Sequence, residues 1–503
     1  MAIPQYYANP PHFFVFLLCI IIIISLVSGE CKLRNDNSSI AIASSDYGNM
    51  EHETPAFVLY PSSDADIIDL VKSTSRPSTV AARGHGHSVR GQALTSGGVV
   101  VNMTALGENK GDRIVIGGNL SCGFYADIGA EQLWVDVLRA TLRQGLAPVS
   151  WTDYLYLSVG GTLSNAGISG RASLRGPQIA NVLQLQVITG KGENLTCSPN
   201  ENPELFLAVL GGLGQFGIIT RARIVLDKAP TNVKWAKLVY SNFSTFINDQ
   251  EHLISGSDAN YVEGYVIVNV SVIDQWKPAL SISQSDRTRI VDLLTNHSLL
   301  FAIELAVFYD NQTDSNTIDQ KFETLLKELN FIPGLNFNTD VLFFDFLHRL
   351  GNLDTLQIGS QLSHPYLALF IPKSDIVEFN KLVVTGMLPR LNQTSGNFMF
   401  FPLKKNKWND SMSAVTPEGD IFYGLGLLHS IPKNAYKSID AFNNEILRVC
   451  EESDIKIKQY LPHYTTQEDW INHFGQAKWE TFVKRKELFD PNMILSPGQK
   501  IFN

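Results

Sequence analysis

Apolar residues from about Thr54 to Leu226 recur in short runs that alternate with segments of helical spacing. Ala56-Phe57-Val58-Leu59-Tyr60 predicts a strand, after which Ser62 or Ser63 caps a helix carrying Ile67, Ile68 and Leu70. Thr79-Val80-Ala81-Ala82-Arg83 predicts a second strand that runs straight into Gly84-His85-Gly86-His87-Ser88. A further unit follows: the strand Tyr125-Ala126-Asp127-Ile128, a helix from about Glu131 to Gln144 closed by Gly145, and, after Ala147-Pro148-Val149, a loop from Gly160 to Gly167. Leu183 to Cys197 reads as a hairpin turning at Gly190-Lys191-Gly192.

Between about Val233 and Asn444 the strands lengthen, as in Tyr261 to Val270 and Leu367 to Ile371, and polar helices lie between them. That texture predicts a second domain built on an antiparallel sheet covered by helices. Short motifs return after Asp454, at Lys458 to Pro462 and Leu495 to Gln499. The expected division is a leader over 1–29, a first domain over 30–232, a second over 233–446 and a return to the first over 447–503.

The apolar run Phe13 to Val27 is short for a bilayer span and ends in small residues, so it reads as a signal peptide; the lack of Lys and Arg in the segment before it leaves a retained anchor as the alternative. Asn-x-Ser/Thr sequons at Asn37, Asn119, Asn194, Asn242, Asn269, Asn296, Asn311, Asn392 and Asn409 fit passage through the secretory pathway and N-linked glycans, with Asn102 in the Val99-Val100-Val101 strand expected to be buried. A formal net charge of -9 argues against a nucleic-acid partner, which would call for clustered Lys and Arg. Five cysteines without a CxxC spacing imply no zinc cluster and at most two disulfides once Cys19 leaves with the leader.

Gly212-x-Gly214-x-x-Gly217 matches the dinucleotide fingerprint letter for letter. Its context is reversed: a helix, Pro203 to Leu210, precedes the glycines and a strand, Ile218 to Ile224, follows. The fingerprint needs the opposite order, so that a helix N-terminus faces the pyrophosphate. Taken together, the three glycine-rich loops make a large ligand plausible, because bare backbone lets amide groups approach an anion; taken singly, each reads as a tight turn. His85 and His87 face the same way on an extended segment, which would also suit a metal pair, but nearby sequence supplies no further ligand.

Arg83-Gly84-His85-Gly86-His87-Ser88, Trp151-Thr152-Asp153, the loop Gly160 to Gly167 and the segment Gly211 to Arg223 together resemble the vanillyl-alcohol-oxidase type of FAD-binding fold, an α+β class. Within it, Gly91-Gln92-Ala93, Trp151 to Leu155, Tyr261-Val262-Glu263-Gly264 and Tyr460-Leu461-Pro462 resemble the cytokinin dehydrogenases over nearly the whole chain after the leader. The resemblance implies a covalent bond from His87 to FAD. It places further flavin contacts on Gly84, His85, Gly86, Ser88, Gln92, Asp153, Ser158, Ser164, Ile168, Ile218, Tyr460, Ser496 and Gln499. A second link through cysteine, as in berberine-bridge-type relatives, is not expected, since no cysteine lies between Cys122 and Cys197.

The same resemblance makes Asp153 the base for the substrate N–H, beside Trp151 in an expected apolar neighbourhood, and has Glu263 bond the adenine ring from the second domain. Tyr366 matches a position at the substrate entrance. The implied reaction is oxidative removal of the N6 side chain of isopentenyladenine-type cytokinins, giving adenine and an aldehyde, with electrons passed on to a quinone-like acceptor or oxygen. The implied protein is an extracellular monomer without stable membrane association, the vacuole and endoplasmic reticulum remaining alternative sites. The rival readings are a sugar or aldonolactone oxidase on the same fold, which would lack the Trp-Thr-Asp and Tyr-Val-Glu-Gly pair, and an inactive glycoprotein that sequesters cytokinin.

Overall fold

The computed structural model describes residues 32–74, 78–107, 113–276, 280–310, 315–352, 362–391 and 396–502. The expected leader, Cys19, Cys31 and the sequons at Asn311 and Asn392 lie outside the described residues.

Two sheets build the first half of the chain. In the smaller, Leu33–Arg34, Phe57–Leu59, Val99–Asn102 and Val80–Arg83 lie side by side, the last three parallel. The helix Asp64–Ser73 makes the crossover; a capping box joins Ser63 and Asp66 at its start, and Ile67 and Val71 face the sheet. The larger sheet is antiparallel, in the order Ile114–Asn119, Gly123–Gly129, Gly217–Lys228, Val182–Thr189, Asn194–Cys197, with Leu146–Pro148 paired to the far end of Gly217–Lys228. The helix expected over 131–144 is shorter, Trp134–Leu142, because Leu133 is taken into a bridge with Ser158. Part of the expected loop 160–167 is a helical turn, Val159–Leu163.

The second half supplies the antiparallel sheet that the longer strands predicted. Its eight strands run in the order Asn336–Leu342, Asn232–Tyr240, Leu300–Tyr309, Tyr261–Ile267, Gly396–Lys404, Ile421–His429, Leu367–Pro372 and Lys458–Gln459. Phe246, Phe301, Phe400 and Tyr423 fill the core between one face and its helices. The return to the first domain expected at 447 falls instead inside the helix Tyr436–Glu452, whose Ile446 and Cys450 belong to that core, and Lys458–Gln459 still pairs with Leu369 and Phe370. Apolar burial, which holds the helix to the second sheet, moves the crossing toward residue 460.

The chain end then packs onto the first sheet. Val80 N–H donates to Ile494 C=O at 2.8 Å and Ser496 N–H to Val80 C=O at 2.9 Å. Lys486 and Asp490, one turn apart and both buried, pair at 2.8 Å. Asp490 also accepts the Ile494 and Leu495 amides, and Lys486 donates to the carbonyls of Gln215 and Leu495. The tail is thereby tied to the loop after Gly214. Cys122, Cys197 and Cys450 carry free thiols, and burial pushes the last two up to about 12. Among the described residues no helix is long and apolar enough to cross a membrane.

Removing one partner of a buried ion pair leaves the other uncompensated, at a cost of about 3–5 kcal/mol. Lys486→Ala is expected to lose stability of that order, read as a lowered midpoint in urea unfolding, whereas Lys484→Ala on the same helix should leave the midpoint unchanged.

Candidate functional site

A cavity of about 1060 Å³ lies between the two halves, at the upper end of the roughly 300–1,000 Å³ usual for ligand sites. The loop after the strand Val80–Arg83 forms one wall, with Gly84, His85, Gly86, His87, Ser88 and, further on, Gln92. Asp153, Ser158, Ser164 and Ile168 line a second wall, Ile218 a third, and Tyr460, Ser496 and Gln499 bring the chain end alongside. Fourteen of the positions singled out in the sequence thus meet around one space. Tyr366 lines it as well, whereas Glu263 and Trp151 are not on its surface.

Local sterics explain the loop. A Cβ on Gly84 would collide with Ser158 Oγ, so the two segments touch only because position 84 is bare. Gly86 has φ of +83°, which favours glycine, and a Cβ there would meet Arg83 Nη2. Arg83 is itself held beneath the loop by a 2.7 Å bond to Ser45 C=O. His87 stacks on Tyr47 with ring centroids 4.3 Å apart, Tyr47 on His364 at 4.0 Å, and His85 lies parallel to His87 at 5.4 Å. Burial pushes His364 down to about 4, so this end of the column is neutral at physiological pH.

The eight-stranded sheet closes the other side. Ala368, Gly426 and Met399 form one cross-strand row and Phe370, Gly424 and Phe401 the next. A Cβ built on either glycine meets nothing closer than 3.7 Å, so these glycines leave room rather than avoid a clash.

The surroundings of Asp153 differ from the apolar neighbourhood expected. Trp151 turns into the first core, and Asp153 faces a charged cluster. Tyr261 Oη donates to Asp153 Oδ1 at 2.5 Å; Arg349 Nη2 lies 2.6 Å from Tyr261 Oη and 3.2 Å from Asp153 Oδ1. Arg349 Nε also reaches Glu304 at 3.1 Å, and Glu304 accepts from Trp235, Lys237 and Tyr265. Glu263 stands on a central strand of the sheet, fully buried, with its carboxyl oxygens against the Gly170 amide at 2.8 Å and Tyr265 Oη at 3.0 Å. The expected contact with a substrate ring is therefore replaced, in this structure, by a place behind Tyr265 and Arg349.

Burial, and next the Asp153 carboxylate, raise Glu263 well above the usual carboxylate range, so it is neutral at physiological pH. Burial works against ionising Glu304 too, but Arg349 and Lys237 outweigh it and hold the group down to about 2. Arg349, Tyr265 and Glu304 escaped the sequence reading. The one signal for Glu304 is a lone carboxylate in the otherwise apolar strand Leu300–Tyr309; Arg349 has none, its partners lying 45 to 196 residues away.

The walls fit FAD. Ser88 Oγ and Gln499 Oε1 are buried without a partner, bare backbone faces the space at Gly84 and Gly160, and among the described residues on the walls Arg349 is the sole Lys or Arg. Neutral hydroxyls, amides and backbone N–H groups suit a pyrophosphate held without a charged clamp.

A family model described as cytokinin dehydrogenase 1, FAD and cytokinin binding, matches residues 230–502, and an FAD binding domain model matches residues 55–198. Cytokinin dehydrogenase 4 of Arabidopsis thaliana is 48% identical, covering 95% of this chain and 93% of its own. Cytokinin dehydrogenase 1 of Oryza sativa subsp. japonica is 44% identical, covering 94% and 92%. Among solved structures, the VAO-type flavoprotein MtVAO615 from Myceliophthora thermophila C1 aligns with TM-score 0.66 at 15% identity, over 88% of this chain and 79% of that one. 6-Hydroxy-D-nicotine oxidase from Arthrobacter nicotinovorans aligns with TM-score 0.64 at 15% identity, over 92% and 96%. These two likenesses concern the fold, which is the expected α+β architecture of VAO-type flavoproteins.

Gly84→Ala forces the loop off Ser158 and is expected to lower the ratio of flavin to protein absorbance in the purified protein several-fold. Gly424→Ala, where a methyl makes only ordinary contacts at 3.8 Å or more, should leave that ratio near wild type.

Proposed function

The chain belongs to the cytokinin dehydrogenase family, and on that premise we propose that it degrades cytokinins by oxidative cleavage of the N6 side chain of isopentenyladenine-type substrates. The observation that carries the reading is the meeting, on one cavity, of the His87 loop, the Asp153 carboxylate and a flat sheet surface made bare by Gly424 and Gly426.

Bound FAD supplies a two-electron acceptor for the hydride that leaves the carbon beside the amine nitrogen. Asp153 takes the proton of that N–H, so that loss of one hydride and one proton from the CH–NH unit leaves an imine, which water cleaves to adenine and an aldehyde. Asp153 Oδ1 accepts from Tyr261 and Arg349, and the Glu263 side chain is hydrogen-bonded to Asp153 as well. Glu263, neutral behind Asp153, acts through it rather than on the purine. The rows Ala368-Gly426-Met399 and Phe370-Gly424-Phe401 offer a planar apolar bed for an aromatic ring.

His87 would hold the flavin through one covalent bond from its imidazole, whose ring is kept in line by stacking on Tyr47. Gly84, His85, Gly86, Ser88, Gln92, Ser158, Ser164, Ile168, Ile218, Tyr460, Ser496 and Gln499 form the remaining cradle. A quinone-like compound or oxygen takes the electrons onward. Secretion as a glycosylated monomer belongs to the same reading, supported by the exposure of Asn37, Asn119, Asn194, Asn242, Asn296 and Asn409.

N6-Isopentenyladenine added under anaerobic conditions should bleach the oxidised flavin band, and Asp153→Asn should slow that bleaching by roughly 10²–10⁴-fold, the usual worth of a positioned base. An unbleached wild-type band would sink the proposal. After acid precipitation, flavin fluorescence should stay with wild-type protein and move to the supernatant for His87→Ala.

A further inference from the structure

Arg349 follows the short helix Phe343–Leu347 and lies at the corner where the cavity meets the charged cluster. Its contacts fix the direction of the hydrogen bonds around Asp153. A guanidinium only donates. Tyr261 Oη, 2.6 Å from Arg349 Nη2, therefore accepts from it, and the tyrosine's own hydrogen is left for Asp153 Oδ1. The second short path runs directly, from Arg349 Nη2 to the same Oδ1. Two donors converge on one carboxylate oxygen, an arrangement that suits a carboxylate and wastes a carboxylic acid.

The groups facing Asp153 come from every neighbouring element. Strand Tyr261–Ile267 contributes Tyr261, Glu263 and Tyr265, strand Leu300–Tyr309 contributes Glu304, strand Asn232–Tyr240 contributes Lys237, and the chain end contributes Tyr460. Glu263 and Glu304 bring two further carboxyl groups into the cluster beside Asp153. Lys237 is bonded to Glu304, on the far side of the cluster. Arg349 is the cation that touches Asp153, and it also lies 3.7 Å from Glu263 and 3.1 Å from Glu304.

We propose that Arg349 is the positioning residue of the base: with Tyr261 it holds Asp153 Oδ1, orients the carboxyl group toward the substrate N–H and sets a positive charge against it. The proposal rests on the reading of Asp153 as the base. It assigns Arg349 no contact with the reacting atoms; the residue works through the carboxyl group that it holds.

The test compares holoenzyme of wild type and Arg349→Gln over pH in two ways: the rate of anaerobic flavin reduction by N6-isopentenyladenine, and the dissociation constant of N6-tert-butyladenine, which has no hydrogen on the carbon beside nitrogen and cannot be oxidised. An opposite charge at this distance favours the ionised form by about one to three pH units. In Arg349→Gln the acid limb of both profiles should therefore move up by about one to three units, with rate and binding recovering toward wild type above it. A uniform loss at all pH values, with the acid limb in place, would mean a merely structural residue and overturn the proposal. If Arg349→Gln does not fold, Arg349→Lys decides: its ammonium cannot span Asp153 and Glu304 together, so a rise of at least about half a unit is expected, and an unmoved limb overturns the proposal. Failure of wild type to be reduced at any pH would refute the cytokinin reading instead, leaving the binding profile to judge Arg349.

Discussion

A carboxyl group taken out of water needs fixed partners in its place, and the architecture around Asp153 follows from that constraint. Arg349 brings the donor, but a buried guanidinium has the same requirement in reverse. Glu304 meets it at 3.1 Å, Lys237 steadies Glu304, and three central strands of the large sheet hold these groups in register. The cluster therefore spans 235 to 349 in one direction and reaches Asp153 in the first half of the chain in the other. It joins the two halves by charge beside the first core, which itself takes in Trp235, Tyr261 and Phe346 of the second half.

The second tie between the halves is the chain end. Leu495 and Ser496 lie against Val80, immediately before the His87 loop, while Lys486 and Asp490 clamp the loop after Gly214. Tyr460, which closes the cavity, sits one residue beyond the strand that ends the large sheet, and its hydroxyl accepts from the Gly167 amide at 3.1 Å. One continuous segment thus reaches from the eight-stranded sheet to the small parallel one. Its residues on the cavity wall are placed by both.

Much of this was legible in the sequence, for reasons that can be named. The reversed setting of Gly212, Gly214 and Gly217 was decisive: the helix Pro203–Val209 and the strand Gly217–Lys228 stand where apolar spacing put them, and Gly214 packs against Ser496. Local patterns also located the strand that delivers His87. What stayed hidden was long-range. Trp151 suggested dry surroundings for Asp153 because they are two residues apart, yet the tryptophan points into one core and the aspartate toward strands more than a hundred residues later. The crossing near residue 460 was misplaced at 447 because an amphipathic helix does not announce which of two cores it will cover.

The two glycine rows carry a consequence for selectivity. At Gly424 and Gly426 the wall is main chain, and nothing smaller can be put there. The gap above the sheet is already at its widest at these positions, so sequence change can only narrow it. Tolerance of thicker, non-planar ligands is a ceiling set by the spacing of strands, and substitution at these two positions of this chain runs in one direction, toward exclusion.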